Sequence, residues 1–186
     1  DHLKSTTAFD RKTVNTILDD CVLNFAGCFT NDRILPKILS QLARAKRLHT
    51  CLHIIDWCEL NSSRIDHRTS EPILIINTFH YSALLLACEV CHKWKESLHT
   101  LTRMKRYNIP LDNVMVSLTL RACEHDKTGW LHGLNIFYSF TKKNTNTLWC
   151  PSERVIYSTA LKICGNAGFF NRAKKILQKR YDVING

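Results

Sequence analysis

The chain has 186 residues, of which 45% are hydrophobic, and it contains only 6 glycines and 4 prolines. This composition can form a buried core, and it disfavours both global disorder and turn-rich all-β folds. The formal net charge of +10 favours an anionic partner, with nucleic acid as the first candidate and a merely solvated basic surface as the alternative. No stretch approaches the roughly 20 apolar residues that span a bilayer, so no membrane partner is expected.

The N-terminal part is predicted to contain one amphipathic helix, residues 13–28, which makes residues 1–31 an N-terminal helix or cap. A short pattern then recurs four times: a small residue, usually a leucine, a polar residue and an apolar or Thr-apolar pair. The four copies begin at Cys51, Ser97, Gly133 and Ala173, which stand 46, 36 and 40 residues apart. A small residue followed three and four positions later by apolar residues predicts a helix face that meets another helix closely.

A second pattern precedes each copy and is predicted to start another helix, at Leu35, Tyr81, Met115 and Tyr157. The units that begin at Leu35, Tyr81 and Tyr157 align without a gap. The unit that begins at Met115 needs two additional residues near Asp126–Thr128. One aligned column, expected to pack at the corner between the two helices of each unit, holds four bulky residues: Leu48, Trp94, Trp130 and Phe170. Each unit is therefore predicted to be a helical hairpin, and stacked hairpins give an all-α solenoid.

The segments between these helices carry turn signals. Gly168 is predicted to end a helix as a C′ glycine, and Pro36 lies where a first helical turn tolerates it. Loops are predicted over residues 61–70 and 141–147, while residues 72–76 either extend the next helix or form a short buried segment.

The stretch from Cys88 to His92 has the C-x-x-C-H spacing of covalent haem attachment. In the aligned frame, however, Cys88 falls in a core column, Cys91 in a small-residue column and His92 in the turn, so no haem is needed. The nine cysteines are interpreted as reduced thiols, mostly in the core. The pairs Cys21/Cys28 and Cys51/Cys58 have a spacing of seven, which places both thiols on one helix face but too far apart for one zinc. No catalytic motif is present, so neither an enzyme, a cofactor nor a metal is expected.

The unit that begins at Tyr81 resembles a pentatricopeptide (PPR) repeat. The residues that carry the resemblance are Tyr81, Ser82, Leu85, Cys88, Ser97, Leu98, Leu101, Met104, Lys105, Ile109, Pro110 and Asp112. In this unit Asn108 stands where the family usually has glycine. The last unit is also similar, through Tyr157, Ser158, Leu161, Cys164, Ala167, Gly168 and Ala173. A tetratricopeptide array is the nearest alternative, but its first-helix signature is absent. The resemblance implies a right-handed α-solenoid with units at about 32–66, 78–112, 113–153 and 154–186.

PPR proteins read single-stranded RNA with the residue after the first-helix aromatic and the residue that closes the repeat. The resemblance places Ser82 with Asp112 at these positions, and also places Ser158 there. Pro36 and Val116, at the same position in the other units, offer no side-chain hydrogen bond to a base. Arg44 and Lys162 are expected in the same groove, near phosphates. Sequence-specific reading is therefore not the expected role.

Eight further basic residues are predicted to form an outward surface that holds folded RNA through its phosphates: Arg103, Lys105, Arg106, Arg172, Lys174, Lys175, Lys179 and Arg180. The resemblance implies an organelle, the mitochondrial matrix or alternatively the chloroplast. We expect a non-catalytic subunit of an organellar ribonucleoprotein, such as the mitochondrial ribosome, in contact with RNA and neighbouring proteins. A sequence-specific factor for RNA processing, editing or stability, and a protein–protein scaffold, are the alternatives.

Overall fold

The computed structural model describes residues 15–19, 34–62, 76–143 and 151–185, and these are helical with short turns and contain no strand. Residues 15–19 form a short helical segment inside the helix predicted over 13–28, whose other residues lie outside the described ranges. Eight longer helices follow: α1 (Ile34–Arg44), α2 (Leu48–Asn61), α3 (Thr78–Val90), α4 (Trp94–Arg106), α5 (Asn113–Glu124), α6 (Trp130–Lys143), α7 (Pro151–Asn166) and α8 (Phe170–Asn185). The predicted all-α class is confirmed.

The first helix of each pair begins earlier than the aromatic or apolar residue that was predicted to start it. α3 begins three residues before Tyr81, because the Asn77 side chain accepts a hydrogen bond from the Phe79 amide at 3.0 Å and caps the helix there. α7 begins six residues before Tyr157, at Pro151, whose fixed φ suits a first helical position. Local capping, and not the first buried side chain, sets the helix start.

Three of the turns between paired helices have the same geometry. Each holds three residues, and the middle one has a positive φ: 58° at Lys46, 54° at His92 and 68° at Gly168. In each turn this residue donates its amide to the carbonyl three residues earlier, and the next residue donates to the carbonyl five residues earlier. This is the Schellman pattern, which satisfies carbonyls left open at a helix end. The prediction of Gly168 as a C′ glycine is confirmed.

The α5–α6 turn is longer, with five residues between Glu124 and Trp130. The Asp126 carboxylate organises it by accepting hydrogen bonds from the Thr128 amide, at 2.8 Å, and from the Thr128 hydroxyl, at 2.6 Å. This turn is two residues longer than the other turns. The two residues are the insertion that the alignment required, and they lie where it was predicted. Asn108, where the PPR pattern favours glycine, has φ 54° and ends α4 with the same Schellman hydrogen bonds.

The chain divides into two compact units, residues 1–87 and 88–186, and the division falls within α3. In the first unit α1 packs on α2, and both Cys51 and Cys58 are fully buried, as predicted for core residues. The Tyr81 hydroxyl donates to Glu59 Oε1 at 2.6 Å, and Trp57 Nε1 donates to Asp19 Oδ1 at 3.1 Å. These two bonds attach the start of α3 and the 15–19 segment to α2.

In the second unit α4 packs on α5, α5 packs on α6 and α7, and α7 packs on α8. A single core cluster joins α5 to the last hairpin and includes Val116, Leu120 and Ile163. Gly133 of α6 lies where these helices approach: a Cβ placed on it would be 3.0 Å from Cys123 Cβ and 3.1 Å from Ile163 Cδ1. The prediction that this small-residue column marks close helix contact is confirmed for Gly133.

The column of bulky residues is the first residue of every second helix. Leu48 and Trp94 are buried and Trp130 is half-buried, as predicted. Phe170 differs, because it is 76% exposed. In the second unit Trp94 is covered by the α5–α6 turn, with its Cγ 3.0 Å from a Cβ placed on Gly129 and its ring stacked on His132. The described residues supply no such turn over Phe170.

The predicted loops are shorter than expected at their N-terminal ends. α2 continues to Asn61 and α6 to Lys143, so the polar residues 141–143 are helical. Residues 63–70, 71–75 and 144–150, which include the rest of both loops and most of the 72–76 segment, lie outside the described ranges. No described helix is long and apolar enough to cross a membrane.

Candidate nucleic-acid interface

The residues predicted to line an RNA groove occupy three places. Ser158 and Lys162 are both exposed and lie one turn apart on α7, so they share a helix face. Arg44 is the exposed last residue of α1, in the first unit. Ser82 is half-buried in the first unit, and Asp112 is exposed in the second. The structure therefore places Ser158 and Lys162 together on α7. The other three residues lie on α1, on α3 and directly before α5.

Asp112 has a structural role that sequence reasoning missed. Its side chain accepts a hydrogen bond from the Met115 amide at 2.8 Å, and it is the N-cap of α5. An aspartate three residues before a free helix amide is a favoured cap, so the sequence did contain this signal. The residue assigned to base reading also fixes the start of a helix.

The base-reading column differs in burial from one unit to the next. Pro36 is buried, Val116 is fully buried, Ser82 is half-buried and Ser158 is exposed. Leu120, which is equivalent to Lys162, is also fully buried, and it belongs with Val116 to the core cluster between α5 and α7. Two of the four positions are therefore closed to a base by the packing of the fold itself.

The predicted basic surface is not uniformly exposed. Arg103 is only 5% exposed, so the structure removes it from the outward charge. It follows Thr100 by three residues on the buried face of α4, and helix periodicity places it there and not with its exposed neighbours Lys105 and Arg106.

Three basic residues of α8 are also half-buried, because their side chains pack on the protein. The Arg172 guanidinium lies 5.0 Å from the centre of the Phe169 ring, and that of Arg180 lies 5.8 Å from the Tyr157 ring. Lys179 Nζ donates to Thr141 Oγ1 at 3.4 Å. The exposed members of the predicted surface are Lys105, Arg106, Lys174 and Lys175.

The turns between paired helices, with the helix ends beside them, carry a second group of exposed basic residues. Except for Arg44, which was predicted for the RNA groove, sequence reasoning did not assign them. The first turn has Lys46 and Arg47, with Arg44 at the end of α1 and His49 at the start of α2. The next two turns, both in the second unit, supply a set that we call the turn cluster: His92, Lys93, Lys95, His125 and Lys127. The signal was available in the aligned frame, where basic residues fall repeatedly in the turn columns.

Ring contacts hold the two turns of the turn cluster together. The imidazoles of His92 and His125 have centroids 4.0 Å apart, and the Trp94 ring stacks on His132 at 5.0 Å. Lys95 Nζ lies 5.6 Å from the centre of the Trp94 ring. Lysines that are far apart in sequence are therefore presented on one fixed surface.

Four acidic residues lie within three positions of the turn cluster in sequence, and all four are half-buried: Glu89, Glu96, Glu124 and Asp126. Glu89, at the end of α3, forms an ion pair with Arg121. The hydrogen bonds from Thr128 keep the pKa of Asp126 below its usual value, and Trp94 and the positive charge of Lys95 act in the same direction. Asp126 is thus charged and interacts with Lys95.

Cys91, Cys123 and Cys164 are free thiols, and Cys88, Cys123 and Cys164 are fully buried. Burial raises the pKa of Cys123 to about 12, so its thiol stays protonated at neutral pH. Within the described ranges no three His, Cys, Asp or Glu side chains meet in a way that could hold a metal ion. Cys88 lies in the core and His92 in the turn, as predicted, while Cys91, predicted just before the turn, is the half-buried first residue of it.

Comparison of the chain with protein-family models and with curated proteins returns no match.

Proposed function

We propose that this chain is a non-catalytic, RNA-associated PPR-like subunit of an organellar ribonucleoprotein, and specifically a structural component of the mitochondrial ribosome. The observation that carries the proposal is the distribution of charge and burial. Most exposed lysines and arginines of the described residues lie on second helices and on turns, while Pro36 and Val116, at base-reading positions, are buried. Localisation in the mitochondrial matrix, or alternatively in the chloroplast, follows from the family resemblance.

The proposed architecture is a right-handed solenoid of about four PPR-like hairpins preceded by an N-terminal helix. Three equivalent Schellman turns support a common repeat, as does the packing of first helix α5 on first helix α7. In such an array each hairpin covers the apolar face of its neighbour. A single hairpin could not bury its own apolar residues.

The proposed mechanism is rigid presentation of a surface. Lysine and arginine contacts to phosphates position folded RNA without reading its sequence, and they release counterions when they form. Neighbouring proteins would cover exposed apolar side chains such as Phe170 and Leu177 on α8. No catalytic step, cofactor or haem is part of this proposal.

A sequence-specific factor that binds single-stranded RNA is the second candidate, and a protein–protein scaffold is the third. The reader would rely on Ser82 and Asp112, and the cap that Asp112 supplies to α5 accounts for that aspartate without RNA. The scaffold would rely on the exposed apolar residues of α8 alone.

Two measurements test the proposal. Native protein in an organellar extract is expected to sediment with ribosomal subunits, and sedimentation as a free protein would contradict this. Purified protein is expected to bind structured and unstructured RNA with little selectivity and with a steep loss of affinity between 50 and 200 mM salt. Discrimination between defined single strands at physiological salt would favour the reader, and no binding at low salt would favour the scaffold.

A further inference from the structure

We propose that the turn cluster (His92, Lys93, Lys95, His125 and Lys127) is the principal phosphate-binding site of the chain. This inference rests on the proposed function and adds to it a location and a ligand group. The ligand is the phosphate backbone of folded RNA.

The first argument is the backbone conformation of His92. A non-glycine residue with φ 54° is strained relative to glycine, which is the residue usually found at a C′ position. Lys46 occupies the equivalent position in the first hairpin with φ 58°, and Gly168 occupies it in the last. Two of the three positions thus carry a basic or titratable side chain where glycine would be more stable, which is typical of a position kept for binding.

The second argument is the arrangement of charge. The contact between His92 and His125 places Lys93, which follows His92, and Lys127, two residues after His125, on the same edge of the second unit. All five side chains of the cluster are exposed. The acids close to the cluster in sequence, which are Glu89, Glu96, Glu124 and Asp126, are only half-buried neighbours, and Glu89 is paired with Arg121. Lysines that are more exposed than the neighbouring acids can attract phosphates.

The third argument is that the rival basic surface has fewer available charges. Arg103 is buried, and Arg172, Lys179 and Arg180 are half-buried against their own unit. The exposed pairs that remain, Lys105 with Arg106 and Lys174 with Lys175, lie on different helices. The turn cluster gathers more exposed cations in one place than either pair.

The test uses the full chain and a fluorescent RNA hairpin with a stem of about 16 base pairs, followed by anisotropy. The variant Lys93→Gln/Lys127→Gln is expected to bind about tenfold or more weakly at 100 mM salt, with the slope of log K against log salt reduced by about two. The matched control Lys37→Gln/Lys142→Gln also removes two exposed lysines, at the helix ends opposite the turns, and should bind like the parent chain.

Circular dichroism melting confirms that each variant is folded.

Three outcomes overturn the inference. If Lys174→Gln/Lys175→Gln weakens binding while Lys93→Gln/Lys127→Gln does not, the site lies on α8 and the proposed function survives. If the turn variants affect binding to vesicles containing phosphatidylserine and not binding to RNA, the cluster recognises a lipid surface. If the parent chain binds no RNA at low salt, the proposed function itself fails.

Discussion

Two glycines in neighbouring helices should respond in opposite directions to the same substitution. Gly133 lies within α6 and Gly165 near the end of α7, and neither has a positive φ. A Cβ placed on Gly165 meets no atom within 4 Å, whereas one on Gly133 lies 3.0 Å from Cys123 Cβ and 3.1 Å from Ile163 Cδ1. The two alanine variants therefore separate helix propensity from packing.

The magnitude follows from these distances. Alanine in place of glycine within a helix stabilises by up to about 1 kcal/mol, so Gly165→Ala should raise the free energy of unfolding. At Gly133 the carbon–carbon contacts are well below the roughly 3.5–4.0 Å of an unstrained pair, and overpacking of a core costs about 1–3 kcal/mol. The net change for Gly133→Ala should be a loss of about 1 kcal/mol, which separates the two variants by about 2 kcal/mol.

Thermal and urea denaturation followed by circular dichroism measure this difference. For a chain of this length about 2 kcal/mol corresponds to roughly 4–8 °C in Tm. Ile163→Val removes the Cδ1 atom that a Cβ on Gly133 would meet, so it should cost less in the Gly133→Ala background than in the parent chain. If Gly133→Ala stabilises as much as Gly165→Ala, α5, α6 and α7 do not approach as described.

Other predictions concern turns, thiols and a cap. Gly168→Ala should destabilise by about 1 kcal/mol in urea denaturation, because its φ of 68° disfavours a Cβ, whereas Lys46→Gly, at φ 58°, should not destabilise. Cys123 should resist iodoacetamide at pH 8 while half-buried Cys91 reacts, as peptide mass spectrometry will show; equal rates would contradict the burial. The pKa of Cys123 is raised from 9.0 to about 12, so the unfolded chain loses this proton first and stability should fall as the pH rises between these values, less so in Cys123→Ala. Asp112→Ala should cost about 1 kcal/mol by loss of the α5 cap while Asp112→Asn retains it, and equal losses would show that a charge and not a cap is needed.

Much of the helical organisation could be predicted from the sequence, because it depends on local signals. The turn at Gly168 and the additional residues near Asp126 are both determined by a few neighbouring residues, and both were found in the aligned frame. Helix starts were predicted less well, since the alignment followed buried residues such as Tyr81, while the helix begins at a polar cap.

The candidate site was less predictable, because exposure depends on packing between helices that are distant in sequence. Arg103 belongs to a run of basic residues, yet it lies on the buried face of α4. Arg172 and Arg180 are used to pack on aromatic rings. The contact between His92 and His125 joins residues 33 positions apart, and no local pattern indicates it. Composition therefore predicted the sign of the surface charge but not its location.

The five-residue turn between α5 and α6 has a consequence for how length relates to geometry in this chain. The Asp126 side chain accepts a hydrogen bond from the backbone amide of Thr128 within the turn. The second helices of the two hairpins, α4 and α6, still begin at their aligned tryptophans. A hairpin that closes its own hydrogen bonds does not pass a change of length to its neighbour. The unequal spacings of 46, 36 and 40 residues are thus compatible with a common hairpin pattern, because side chains, and not residue counts, set where one helix meets the next.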